Sequence, residues 1–112
     1  MNERALEGFV KIVEMNSFSA AADALYISQS ALSQQIRTLE GQLKLELFQH
    51  VPRRVVLTPA GQDFYPQAKM ILNLYQNAVK HAQAVQQNTS RYAFDADWNA
   101  PLPIILMIPL LR

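Results

Sequence analysis

The residues most suited to chemistry in this chain lie on one side of a single predicted helix, residues 28–43. At 100° per residue, Leu32, Ile36 and Leu39 fall together on an apolar side. The other side lacks the Lys and Glu of an ordinary solvated face and carries Gln29, Ser30, Ser33, Gln34 and Arg37. In the major groove of DNA, Gln pairs with adenine, Arg with guanine and Ser with either. The pattern favours a helix that recognises DNA, and a merely solvated polar face is the alternative.

Two shorter helices are predicted to position this face. Apolar residues at three- and four-residue spacing predict a first helix over residues 3–15. Ser19 is expected to cap a second helix over residues 20–25, and Ser28 is the expected N-cap of the third. The alanines at 20–22 permit close approach of two helix backbones. The second and third helices together predict a helix-turn-helix.

A hairpin is predicted after the third helix. Two strand-like pieces, residues 47–50 and 55–58, flank a segment in which Pro52 pre-sets a turn. Arg53 and Arg54 are therefore expected at the tip. Charged loop tips are common, but after a helix-turn-helix these arginines are better explained as a wing that contacts DNA.

A long fourth helix is predicted from Thr58, its cap, and Pro59 in its first turn to about residue 87. Pro66 is expected to bend it slightly. A helix of this length cannot bury its apolar stripe in so small a domain, whereas a second copy can cover it. We therefore expect packing onto the first three helices over two turns only, and dimerisation beyond. The expected dimerisation residues are Ala68, Ile71, Leu72, Tyr75, Ala78, Val79, Ala82 and Val85.

Composition narrows the function classes. The 112 residues carry a net charge of +1, and within residues 1–58 the basic and acidic side chains are equal in number. Any DNA affinity must therefore come from where the charges lie. Cysteine is absent, which excludes a disulfide framework and fits a reducing cytoplasm. His50 and His81 have no carboxylate or cysteine constellation beside them. We expect no enzyme, no catalytic, cofactor or metal site, and no membrane segment.

Residues 4–88 resemble the N-terminal part of LysR-type transcriptional regulators. The resemblance rests on the lead-in at residues 18–22 and on four spaced motifs: Leu25-x-x-Ser28-Gln29, Leu32-Ser33-x-x-Ile36-x-x-Leu39-Glu40-x-x-Leu43, Leu47-Phe48 and Leu57-Thr58-x-Ala60-Gly61. It implies a mainly α fold. A winged helix-turn-helix of three helices and a two-stranded wing occupies residues 1–58, followed over 59–88 by a linker helix that pairs antiparallel with its partner's. Residues 89–112 are then a hinge and the truncated start of an effector-binding domain, with a strand at 91–97 and a helix at 101–112.

The resemblance also implies sequence-specific binding of an inverted-repeat promoter site by a homodimer, at the bacterial nucleoid in the cytoplasm. Double-stranded DNA is the expected partner, a tetramer is expected only in a full-length protein, and a small-molecule inducer only where an effector domain is present. Position by position, Ser28 is expected near a phosphate and Arg53 matches the family's wing arginine. The DNA-binding residues so implied are Ser28, Gln29, Ser30, Ser33, Gln34, Arg37, Arg53 and Arg54.

The chain departs from the family pattern at four positions. Ser30 replaces a common proline, Gln34 and His50 replace common arginines, and Lys44 replaces a frequent glycine after the third helix. Lys44 therefore either adopts a strained left-handed conformation or the helix ends differently. The lost positive charge favours one alternative function: a truncated dimerisation module that modulates a full-length regulator without strong DNA binding of its own.

Overall fold

The computed structural model describes residues 2–89, which form four helices. They are α1 (Glu3–Met15), α2 (Phe18–Ala24), α3 (Gln29–Leu43) and α4 (Pro59–Thr89). The predicted bounds of α1 and α3 are confirmed, and α4 continues through Pro66 to Thr89. Within this range no helix has the length and apolar character that crossing a membrane requires. The strand and helix predicted over 91–112 lie outside the described residues.

The start of α2 differs from the prediction. Ser17, not Ser19, is the N-cap, because its Oγ accepts a hydrogen bond from the backbone N–H of Ala20 at 3.0 Å. Asn16 ends α1 in the left-handed conformation and leaves Ser17 extended, so the cap falls on the first serine. Phe18 then opens α2 with its ring 5.2 Å from that of Phe48, centroid to centroid.

The core lies where α1, α2 and α3 pack together. Its fully buried side chains include Phe9, Ile12, Leu32 and Leu39. Burying a side chain of this size stabilises the fold by about 1.5–3 kcal/mol. The ring of Phe9 also contacts aromatic rings outside these helices, with centroids 5.6–6.1 Å away; they belong to Phe48, Phe64 and Tyr65. The segment after α3 and the first turns of α4 therefore share one core with α1.

The first turns of α4 are held against the segment that follows α3. Thr58 caps the helix as predicted, because its Oγ1 accepts the Gly61 N–H at 2.9 Å. A Cβ on Gly61 would collide with the carbonyl oxygen of Leu47, so only glycine fits here. Ala68 and Leu72 are also buried in the chain's own core. Packing of α4 onto the domain thus extends one turn further than predicted.

Two compact units result, and they divide after Tyr75. The first unit contains α1 to α3 and the start of α4, because the residues that α4 supplies to the core lie before Tyr75. The second unit begins at Gln76, and its described part is the remainder of α4.

The predicted two-stranded wing is not formed within residues 2–89. A single antiparallel bridge joins Phe48 to Leu57, with the Gln49 N–H donating to the Val56 carbonyl at 2.8 Å. The hairpin loop (residues 49–56) uses two further N–H groups locally: Val51 donates back to Gln49 at 3.0 Å, and Arg54 to Val51 at 3.4 Å. Pro52 has no N–H to donate. These turn bonds and the proline remove three donors that a longer ladder could have used.

Candidate nucleic-acid interface

α3 has the two faces that its sequence predicts. Leu32, Ile36 and Leu39 are buried in the core. The polar residues lie on the other side, where Gln29, Ser30, Gln34 and Arg37 are exposed and Ser33 is half-buried. Ser28 caps the helix, since its Oγ accepts the Ala31 N–H at 3.1 Å. The core thus turns the whole polar face of α3 away from the protein interior.

A groove with a volume of about 660 Å³, here called the α3 groove, lies between α3, the start of α2 and the hairpin loop. It brings together five of the predicted DNA-binding residues: Gln29, Ser33, Arg37, Arg53 and Arg54. The other three, Ser28, Ser30 and Gln34, do not line it. Residues from α3 and from the loop, distant in sequence, therefore share one site.

The α3 groove is locally basic although the surrounding sequence is neutral. Three arginines line it, and Glu40 is the one carboxylate among its lining residues. That carboxylate is engaged with the backbone, because Oε2 of Glu40 accepts the N–H of Leu47 at 2.7 Å and of Phe48 at 3.3 Å. Its role is thus to hold the segment after α3 against the helix. No ion pair within residues 2–89 joins Glu40 to an arginine of the groove.

Several lining residues were not singled out in the sequence as DNA-binding. Asn16 and Ser17 precede α2, Ser19 lies in its first turn, and Gln49 belongs to the hairpin loop. His50, which replaces a common arginine of the family, lines the groove as well. For Asn16 and Ser17 the sequence signals only a break between two helices, and such a break does not show which surface the residues line. The imidazole Nε2 of His50 lies 3.6 Å from the Glu46 carboxylate, and both side chains are largely exposed. Such an exposed pair contributes little to stability.

Arg37 is oriented by a neighbour on the same helix. Its Nη2 donates to the Oε1 of Gln34 at 3.2 Å, across the i, i+3 spacing that places two side chains side by side. Gln34 lies outside the groove and Arg37 lines it. A residue that does not line the groove thus holds, by a hydrogen bond, the guanidinium of one that does.

A second surface lies along α4. Three of the predicted dimerisation residues are large and exposed, Ile71, Tyr75 and Val79. Ala78 and Ala82 are exposed and Val85 is half-buried. Ala68 and Leu72 are buried within the chain, which removes them from any surface open to a partner. The other six residues, none of them fully buried, are here called the α4 apolar face. Met70 and Leu74, which the predicted set omits, are about 70% exposed and lie on the same helix.

Comparison with known proteins gives consistent matches over this part of the chain. Residues 4–62 match the family model for bacterial regulatory helix-turn-helix proteins of the lysR family. The HTH-type transcriptional regulator YxjO of Bacillus subtilis (strain 168) is 41% identical over 91 residues, 81% of this chain and 31% of that protein. The nitrogen assimilation regulatory protein nac of Escherichia coli (strain K12) is 46% identical over 78 residues, 70% of this chain and 26% of that protein.

A solved structure shows the same fold. The BenM DNA-binding domain, crystallised with benA site 1 DNA, is 39% identical with a TM-score of 0.70. The match covers 76% of this chain and 96% of that one. The chain spans less than a third of the length of the curated relatives it matches.

Proposed function

The chain belongs to the LysR family of bacterial helix-turn-helix regulators, and on that premise we propose that it binds specific DNA sequences at promoters. The relatives it matches are transcriptional regulators and not enzymes. In this proposal the polar face of α3 enters the major groove, and the hairpin loop contacts the adjacent backbone or minor groove as a wing. The protein then acts on the bacterial chromosome, at the nucleoid.

The observation that carries the proposal is the placement of charge. The basic and acidic side chains of residues 1–58 cancel, yet the α3 groove gathers three arginines against one carboxylate that is already bound to backbone N–H groups. Phosphate contacts by cations supply most of the sequence-independent affinity for DNA. Local concentration of arginine beside hydrogen-bonding side chains thus supports both binding and base recognition.

We further propose a homodimer through the α4 apolar face. Its exposed large side chains on a helix of 31 residues support burial against a second copy, with the helices antiparallel. A two-fold dimer would place its recognition helices in major grooves about 34 Å apart, one turn of DNA, or a multiple of that. The expected site is then an inverted repeat. Tetramer formation and response to an inducer are expected only with an effector domain.

The test begins with selection of bound sequences from a random duplex pool, followed by fluorescence anisotropy on the selected site. Arg37→Ala should weaken specific binding about tenfold, because one good bidentate base contact contributes about 1–3 kcal/mol. Arg53→Ala should instead weaken binding to all sequences alike and reduce the salt slope by about 1. The two arginines therefore give separable results.

Lys11→Ala is the matched control, because Lys11 lies outside the α3 groove and its ammonium is 3.8 Å from the Glu14 carboxylate. It should leave the affinity for the selected site within about twofold, since an exposed charge outside the interface contributes little. If Arg37→Ala behaves like this control, α3 is not the recognition helix. A dimer that shows no salt-sensitive association with any duplex at low salt would support the alternative function, a module that modulates a full-length regulator.

A further inference from the structure

We propose that Gln34 is a positioning residue for Arg37, and that the two side chains together select one guanine-containing base pair. This inference rests on the proposed function, in which the polar face of α3 reads DNA. It replaces the sequence-based expectation that Gln34 reads adenine by itself. Gln34 stands outside the α3 groove, and its contribution passes through the arginine that lines the groove.

The geometry shows what holds the guanidinium. Arg37 is exposed, and the hydrogen bond from its Nη2 to the Oε1 of Gln34, 3.2 Å long, is the polar contact that orients it within the described residues. A free arginine side chain samples many rotamers, and it loses the entropy of all but one of them when it docks against a base edge. A neighbour that already restricts the guanidinium reduces that loss on binding.

The chemical type of the acceptor also matters. A carboxylate beside Arg37 would neutralise it and repel the phosphates, whereas the neutral amide of Gln34 orients the cation and leaves its charge intact. Glu40 follows Arg37 by three residues on α3 and shares the groove, but its Oε2 is held by the N–H groups of Leu47 and Phe48. In residues 2–89 Arg37 forms no ion pair. The guanidinium is therefore oriented by a neutral group, and no carboxylate of the described residues offsets its charge in an ion pair.

The base preference follows from the donors that remain. To read adenine, a glutamine must accept from N6 and donate to N7 at the same time. The Oε1 of Gln34 already accepts from Arg37, which competes with acceptance from N6, and the remaining N–H groups of Arg37 are all donors. A surface of donors matches guanine, which offers the acceptors O6 and N7, better than adenine, which offers N7 beside a donor.

A double-mutant cycle on the purified 112-residue chain tests the coupling. Anisotropy on the selected site is measured for the wild type, Gln34→Met, Arg37→Met and the double variant. Gln34→Met keeps the length of the side chain and removes its acceptor. We expect Gln34→Met to weaken binding about fivefold in the wild-type background and less than about twofold when residue 37 is already Met, as for side chains that act as a unit.

Sequence selection with the same proteins supplies a readout that a loss of stability cannot imitate. Gln34→Met and Arg37→Met should relax the base preference at one shared position of the site, and replacing its guanine by 7-deazaguanine should weaken the wild type but not Arg37→Met. Gln42→Met is the matched control, because Gln42 is exposed on the same helix and lies outside the α3 groove. It should change neither affinity nor preference.

Two results overturn the inference while leaving the proposed function intact. One is an equal loss from Gln34→Met in both backgrounds, or no loss in either. The other is a relaxed preference at two different base pairs, which would mean that Gln34 reads its own base. A wild-type chain that binds no duplex at any salt concentration overturns the proposed function together with this inference.

Discussion

Glu40 illustrates, at the scale of single residues, how one carboxylate connects α3 to the segment that carries the arginines of the loop. Its Oε2 accepts two backbone N–H groups, those of Leu47 and Phe48, and both of these residues are buried. A carboxylate that accepts backbone N–H groups forms charge-assisted hydrogen bonds, which are stronger than neutral ones. The side chain thus holds the base of the hairpin loop while the groove stays basic.

Glu40→Ala should lower the free energy of unfolding by about 1–3 kcal/mol, because two N–H groups next to the core lose their acceptor. Glu40→Gln keeps an amide oxygen in that place and should recover a large part of the loss. Urea denaturation followed by circular dichroism measures both. Glu46→Ala removes an equally long carboxylate whose partner is the exposed His50, so it should change stability by less than about 0.5 kcal/mol. Equal effects at 40 and 46 would contradict the assigned role.

At the scale of elements, the end of α3 shows which of two predicted conformations Lys44 adopts. It is left-handed, with φ 58° and ψ 42°, and the carbonyl of Glu40 accepts the N–H groups of both Lys44 and Leu45. This is the helix end that normally uses glycine, since a side chain with a Cβ is strained there. The sharp turn directs the chain back toward the core, where Leu47 and Phe48 are buried.

Lys44→Gly should therefore stabilise the protein by about 0.5–1 kcal/mol, because glycine adopts the left-handed conformation without strain. Lys44→Ala is the control: it removes the same charge but keeps the Cβ, so it should give no such gain. Thermal and urea unfolding of the two variants, compared with the wild type, isolate the backbone effect. A Lys44→Gly protein that is no more stable than Lys44→Ala would show that this cap is unstrained.

At the scale of the whole molecule, the proposed dimer would bring two copies of α3 to one DNA site through the α4 apolar face. Burial of Ala68 and Leu72 inside one chain leaves a narrower stripe than periodicity alone predicts. What remains begins with Ile71, Tyr75 and Ala78, at the spacing of a helix that pairs with another helix. The proposed dimer depends on this remainder.

Ala78→Asp should weaken dimerisation at least about tenfold, because the carboxylate would be buried in the interface without a partner. Asn77→Asp adds the same charge one residue away, about 100° round the helix, and should leave the dimer intact. Both positions are exposed in the single chain, so neither variant should unfold it. Analytical ultracentrifugation gives the mass, and anisotropy on full and half sites shows whether DNA affinity falls with it. A dimeric Ala78→Asp protein would place the interface elsewhere.

Much of the fold could be predicted because its signals are local. The two faces of α3, its Ser28 cap and the Thr58-Pro59 start of α4 depend on residues three or four apart, and the structure confirms them. Where the prediction was wrong, helical periodicity did not show the cause. Ser17 caps α2 because Asn16 ends α1 in the left-handed conformation, and Leu72 is buried because the core includes one more turn of α4 than periodicity predicts.

The sequence by itself determined the family, the helices and the residue types available for DNA. Only the tertiary structure decided where the charge is concentrated, that Glu40 is occupied by backbone N–H groups, and that Gln34 orients Arg37. The physical reason is that composition and periodicity describe neighbours along the chain. The α3 groove instead arises when core packing brings the start of α2, the polar face of α3 and the hairpin loop to one side of the molecule.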